Sequence, residues 1–202
     1  DQFADLMNQQ AQLLNMNDTQ FRNSTGLPDE QHYSTAWDLA LLTRALIKNH
    51  PQQYALYSEK SYTYNNIEQP NRNRLLWRDR SVDGVKTGFT SAAGYCLVAS
   101  AERDGMRLIS VVLGTENDEA RMRESQKLLS YGFRNYETKT LFEPGTSLQE
   151  QPIYYGEVEA LPLGVAEDVI VTFPKGHYQD IDASITVPSY LEAPIGKGDL
   201  LG

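Results

Sequence analysis

Apolar residues fall into three textures along this chain, and each predicts a different kind of element. The first is helical. Phe3, Leu6, Met7, Leu13 and Leu14 lie close to one face at a spacing near 3.6, which predicts a helix over 2–15 with those residues toward a core. Asn23-Ser24-Thr25-Gly26-Leu27-Pro28 is dense in turn formers and predicts a loop. A second helix begins at Ser34 or Thr35, where Thr35 and Asp38 form a weaker relative of the capping box. Trp37, Ala40, Leu41 and Ala45 supply its apolar face, and Pro51 ends it. The second texture alternates. Tyr62-Thr63-Tyr64 reads as a strand, and Tyr95–Ala101 and Arg107–Leu113 read as two stronger ones. Asp104-Gly105 between them suits the tight turn that right-handed strand twist favours. Helical spacing returns over 116–131. Glu116, Asp118 and Glu119 sit at its positive dipole end, and Gly132 reads as its stop.

The third texture starts near residue 141. Pro144, Gly145, Pro152, Gly156, Pro162, Gly164, Pro174 and Gly176 break the chain every few residues. Short apolar runs lie between them, notably Val169-Ile170-Val171-Thr172-Phe173. That pattern predicts a small all-β domain. The chain therefore reads as an α+β part over 1–140 followed by an all-β part over 141–202. No repeat or low-complexity tract is present.

Composition narrows the classes. Hydrophobic residues make up 40% and charged residues 22%, ordinary values for a folded chain. The net charge of −9 argues against nucleic acid and against anionic lipid as partners of this segment, and otherwise favours solubility. One cysteine, Cys96, allows no intrachain disulfide. Its setting, Tyr95-Cys96-Leu97-Val98-Ala99, predicts a buried small hydrophobe and not a nucleophile. No apolar run approaches the ~20 residues of a membrane span. The first residue is not methionine, and both ends read as cuts within a longer protein.

The segment with the most chemistry is Val82-Asp83-Gly84-Val85-Lys86-Thr87-Gly88-Phe89-Thr90. Lys-Thr-Gly is one of three signatures of penicillin-interacting serine enzymes, beside Ser-x-x-Lys and Ser-x-Asn. Alone it is also an ordinary strand end entering a glycine turn. Its context adds weight, because a long hairpin and then a helix follow it. Each residue has a chemical use there. An edge strand accepts an extended peptide as a further strand. Gly88 removes a side chain where the substrate backbone approaches. Lys86 supplies fixed positive charge, Thr87 offers a hydroxyl to a carboxylate, and the Phe89 amide is a candidate oxyanion donor.

Further stretches extend the pattern. Asn71-Arg72-Asn73-Arg74-Leu75-Leu76-Trp77, then Val82 to Gly88, then Ala93-Gly94-Tyr95 and Leu97-Val98-Ala99-Ser100, resemble the serine D-Ala-D-Ala carboxypeptidases of Gram-negative bacteria. So do Gly26-Leu27, Tyr33-Ser34, Leu128-Leu129-Ser130-Tyr131-Gly132-Phe133 and Pro152-Ile153-Tyr154-Tyr155-Gly156. The resemblance runs along essentially the whole chain. It implies the C-terminal half of a penicillin-binding or β-lactamase-like domain, helices packed on an antiparallel sheet, followed by a partial β-sandwich. It implies that Lys86 is catalytic and that Thr87, Gly88, Phe89 and Arg72 bind substrate. On its residues alone Arg72 has a second reading, a solvated turn arginine. The residue after the glycine departs from members that carry histidine there, which leaves only its backbone role in place.

The implied reaction removes the terminal D-alanine from peptidoglycan stem peptides through an acyl-enzyme, with β-lactams as trapping inhibitors and no metal or organic cofactor. The implied location is the periplasmic face of the inner membrane, with an amphipathic tether beyond Gly202. No serine of the chain opens a Ser-x-x-Lys or a Ser-x-Asn, so the isolated chain is expected to be inactive, and apolar surface left uncovered is expected to make it poorly stable. A non-catalytic peptidoglycan-binding homologue and a related β-lactamase or transpeptidase remain as alternatives. Other signals weigh little. The three histidines show no zinc spacing, there is no Gly-x-Ser-x-Gly elbow, and there is no phosphate loop. The tyrosines of 54–64 read as half-buried strand packing more readily than as a carbohydrate platform.

Overall fold

The computed structural model describes residues 2–201. The chain divides into two compact units, Asp1–Arg134 and Asn135–Gly202. The first opens with α1 (Gln2–Leu13) and α2 (Ala36–Asn49). Thr35 caps α2, its hydroxyl accepting the Asp38 amide at 3.2 Å. Asp38 is itself only 1% exposed, and its carboxylate accepts the Asp18 amide at 2.9 Å and the Thr19 hydroxyl at 2.6 Å. Pro51 ends α2 and also starts the short α3 (Pro51–Ala55), since proline is tolerated in a first helical turn.

A small hairpin follows, β1 (Ser61–Tyr64) with β2 (Ile67–Pro70), turned by Asn65 and Asn66 at φ 48° and 61°. One helical turn, α4 (Leu75–Arg78), buries Leu75 and Leu76. Then come β3 (Val82–Thr90), β4 (Gly94–Arg103) and β5 (Met106–Thr115), an antiparallel sheet in the order β3-β4-β5. The central strand carries the core, with Leu97, Ala99 and Ala101 at most 2% exposed. Asp104 and Gly105 turn the β4–β5 hairpin at φ 49° and 77°, as expected from the sequence. The last helix, α5 (Asp118–Asn135), buries Ala120, Met122, Ser125, Leu129 and Phe133.

The second unit carries β6 (Tyr136–Phe142), β7 (Gln149–Tyr154), β8 (Ala160–Leu163), β9 (Val169–Pro174) and β10 (Leu191–Glu192). Antiparallel β6 and β9 form one sheet, and β10-β7-β8 form another, in which β10 runs parallel to β7. Eleven acids against three lysines and no arginine lie in residues 135–202, so this unit holds −8 of the chain's −9.

Several expectations need correction. Large members of the predicted apolar faces are exposed, Phe3 and Leu13 of α1 and Trp37 of α2 at 58%, 76% and 72%, whereas Ala40, Leu41 and Ala45 of α2 are half-buried. Small Ala4 and Ala11 are buried in α1 instead. Gly132 does not stop α5, which runs three residues further. A Cβ there would lie 2.4 Å from Leu108 Cδ1, so this glycine permits a close approach of helix and strand. Tyr62 and Tyr64 are exposed, because β1 pairs only with β2 and nothing lies over that hairpin among the described residues. Cys96 is half-buried, since it lies at the start of β4 where the sheet ends.

Asp79 ties the turn before β3 to its neighbours. Its carboxylate accepts the Ser81 amide and hydroxyl at 3.0 and 2.6 Å, Arg103 at 2.6 Å and Gln126 at 3.1 Å. Burial works against the charge, but the Ser81 and Arg103 donors outweigh it and hold the carboxyl below its ordinary value. A depressed folded pKa means that the unfolded chain takes up this proton first as pH falls. The stabilisation is thus complete at neutral pH and is lost as pH falls from the ordinary aspartate range, about 3.9, through the folded value. Urea midpoints of the wild type and Asp79→Asn should converge below about pH 4. Parallel curves would remove Asp79 as the cause.

Candidate active site

Among the described residues β3 is the outer strand of its sheet and pairs with β4 alone. Lys86, Thr87, Gly88 and Phe89 stand opposite Val98, Leu97, Cys96 and Tyr95. Thr87 is buried, whereas Lys86, Gly88 and Phe89 are exposed. The Lys86 ammonium donates to the Thr87 carbonyl at 2.7 Å. Phe89 packs on Tyr95 with ring centroids 4.3 Å apart. A Cβ added to Gly88 would meet only Cys96, at 3.9 Å, which is ordinary contact. Nothing in the described residues therefore demands glycine there, and the space over it is open.

The loop between β2 and α4 brings Arg72 to the same strand. Tyr57, Asn71, Arg72, Val85, Lys86 and Thr87 line one shallow depression of about 260 Å³. It holds two cations and no carboxylate. Among the described residues Arg72 makes no hydrogen bond or ion pair, whereas nearby Arg74 pairs with Asp118 at 3.3 Å and Arg78 with Glu119 at 3.1 Å. All five residues singled out on sequence grounds thus lie on one strand segment or beside it, four by sequence adjacency and Arg72 by the fold.

Two supports were not visible in the sequence. The first lies behind the start of β3. The Tyr54 hydroxyl donates to Asp83 at 2.6 Å, and Arg107 pairs with Asp83 at 2.8 Å and donates to Ser100 at 2.8 Å. Burial and the neighbouring Asp83 carboxylate hold the Tyr54 phenol well above its ordinary value, so it stays a neutral donor. The second is Arg121, 6% exposed in α5. Its guanidinium donates to the Gly88 and Cys96 carbonyls at 2.9 and 3.2 Å, pairs with Asp118, and lies over the Tyr95 ring at 5.4 Å. An arginine among the buried positions of an otherwise polar helix was the one available signal for it.

This geometry can be set beside known proteins. The family described as D-alanyl-D-alanine carboxypeptidase matches residues 1–117. The chain belongs to that family. A second description, penicillin-binding protein 5, C-terminal domain, matches residues 136–202. The D-alanyl-D-alanine carboxypeptidase DacC of Escherichia coli (strain K12) is 46% identical over 99% of this chain, which spans 50% of that relative. Penicillin-binding protein 5 from Haemophilus influenzae is 43% identical with a TM-score of 0.86, over 99% of this chain and 59% of the other. Penicillin-binding protein D2 from Listeria monocytogenes, in its cefotaxime-bound form, is 38% identical with a TM-score of 0.61, over 65% of this chain and 55% of the other. The chain thus spans about half the length of the relatives it matches. The mixed helix and antiparallel-sheet fold is that of these penicillin-binding proteins.

Within this carboxypeptidase-family fold, Gly84 shows how tightly β3 is backed. A Cβ there would lie 2.8 Å from the Tyr54 hydroxyl oxygen and 3.2 Å from two ring carbons. Tyr54 is buried and tied to Asp83, so it has little room to withdraw. Gly84→Ala should lower stability by about 1–3 kcal/mol in urea unfolding. An unchanged midpoint would mean that Tyr54 moves aside freely.

Proposed function

We propose that this chain is part of a serine-type D-Ala-D-Ala carboxypeptidase that removes the terminal D-alanine from peptidoglycan stem peptides. The observation that carries the reading is the depression at Lys86 and Thr87. Two cations without an acidic partner adjoin an outer strand whose glycine has open space above it. A peptide ending in a free carboxylate fits both features.

The peptide adds to the outer edge of β3 through main-chain hydrogen bonds. Its terminal carboxylate is met by Arg72, Lys86 and the Thr87 hydroxyl. Gly88 leaves room for its backbone. The Phe89 amide donates to the oxyanion that forms as a serine attacks the penultimate D-alanine carbonyl. D-Alanine leaves with the proton delivered to its nitrogen, and water then hydrolyses the ester. The serine and its lysine base belong, in this reading, to a Ser-x-x-Lys motif outside these residues, because none occurs within them. A β-lactam replaces the D-Ala-D-Ala end and leaves a slow ester. We assign catalysis to the mixed part, read from the sequence as 1–140, and no direct chemistry to the β part, 141–202. Family membership further supports an extracytoplasmic location, the periplasmic face of the inner membrane, with a tether beyond Gly202. The described residues contain no helix long and apolar enough to cross a membrane.

Two outcomes test this. The intact protein should release D-alanine from diacetyl-L-Lys-D-Ala-D-Ala, and Lys86→Ala should lower kcat/KM about 10²- to 10⁴-fold, the range for losing a charged or proton-transferring group. An intact protein that binds the peptide without cleaving it would favour the non-catalytic alternative. The 202-residue chain alone should take no label from a fluorescent penicillin. A covalent adduct on it would place the nucleophile within these residues and overturn the assignment.

A further inference from the structure

Arg72 is exposed, but the loop that carries it is held on both sides. Asn71 precedes it. The Asn71 main-chain amide donates to the Lys60 carbonyl at 2.8 Å, and its side-chain amide donates to the Glu59 carbonyl at 2.9 Å and the Tyr57 carbonyl at 3.3 Å. Asn73 follows it and is 1% exposed. Its Nδ2 donates to the Gly84 carbonyl of β3 at 2.9 Å, and its Oδ1 accepts the Leu75 amide at 3.2 Å. The Asn71 Oδ1 closes the bracket by accepting the Asn73 amide at 2.9 Å. Each asparagine side chain therefore uses both its donor and its acceptor on main-chain groups, a pairing that neither a carboxylate nor a hydroxyl of similar size reproduces. Between them Arg72 makes no bond of its own among the described residues.

This is an unusual use of buried polar groups. A turn arginine that merely solvates needs no fixed backbone. Here the left side of the bracket fixes the loop to the segment before β1, and the right side fixes it to β3 two residues before Lys86. The cation is thereby set against the strand whose register decides where a substrate end lies. We infer that Asn71 and Asn73 are positioning residues that hold Arg72 beside Lys86 and Thr87 in the middle of β3, so that the site selects a free terminal carboxylate over an amide. The inference rests on the carboxypeptidase reading above and adds to it a cause of end-group selectivity.

The test uses the intact protein and two peptides, diacetyl-L-Lys-D-Ala-D-Ala and its C-terminal amide. The quantity read is the ratio of their kcat/KM values. Arg72→Ala should lower this ratio about 10- to 100-fold, the worth of a charge-assisted hydrogen bond. Asn73→Ala and Asn71→Ala should lower it in the same direction, chiefly through KM for the acid, with the amide little changed. The double variant Arg72→Ala/Asn73→Ala should be no less selective than Arg72→Ala, because Asn73 acts through Arg72. If the asparagine variants slow both peptides by one factor, or the double variant loses further selectivity, the bracket is only structural and the inference fails. Asn71→Ala, at a half-buried position, keeps the test open where Asn73→Ala does not fold. A wild type that cleaves neither peptide overturns the carboxypeptidase reading instead. Equilibrium binding of the same two peptides then decides the bracket, by the same ratio and the same variants.

Discussion

A strand that is to receive a peptide must be rigid while one of its edges stays unpaired. β3 has both properties. Among the described residues β3 has only β4 as a strand partner, so the rigidity that a second neighbour would give comes from side chains. Asn73 holds the Gly84 carbonyl, the Tyr54–Asp83–Arg107 group backs the same end, and Arg121 holds the Gly88 carbonyl at the other. Between these clamps lie Lys86 and Thr87. The strand is fixed at both ends of the segment that faces the depression.

Charge follows the same division. A net −9 would ordinarily repel an anionic ligand, but the acids are not spread evenly. Residues 135–202 carry −8, which leaves the first unit close to neutral. Within the first unit the arginines near the site are mostly spoken for: Arg74 and Arg121 by Asp118, Arg78 by Glu119, Arg107 by Asp83. The exposed pairs among them, Arg74–Asp118 and Arg78–Glu119, add at most about 1 kcal/mol each to stability. Their larger effect is to consume the acids nearby, so that Arg72 and Lys86 keep their charge uncompensated. The net charge therefore describes the whole chain and not the local charge of this depression.

The same contrast between local and distant causes explains what could be read without a structure. The β4–β5 hairpin was legible because Asp104-Gly105 and the alternating strands are local signals. Lys86 to Phe89 was legible as a short run in a strand. Arg121 was not, because its contacts with Gly88 and Cys96 lie 33 and 25 residues away. Tyr54 and Asp83, 29 residues apart, were invisible for the same reason. Gly132 was misread because a glycine that ends a helix and one that admits Leu108 look alike in sequence. The large side chains of α1 and Trp37 of α2 were read correctly as apolar and incorrectly as buried, since periodicity records a face but not what lies on it.

Those open faces and the bare edge of β3 are uncovered for different physical reasons. Phe3, Leu13 and Trp37 expose large apolar side chains, and covering them would be favourable by about 25 cal/mol for each Å² removed from water. Such surface suits a lasting partner, because every opening returns it to water. The depression at Arg72, Lys86 and Thr87 is the opposite case. Beside Tyr57 and Val85 it presents Asn71, Arg72, Lys86 and Thr87, and its cations hydrate well. A surface of that kind can be filled and emptied with little hydrophobic free energy at stake. The helical faces and the strand edge are thus open for different physical reasons, one apolar and one charged.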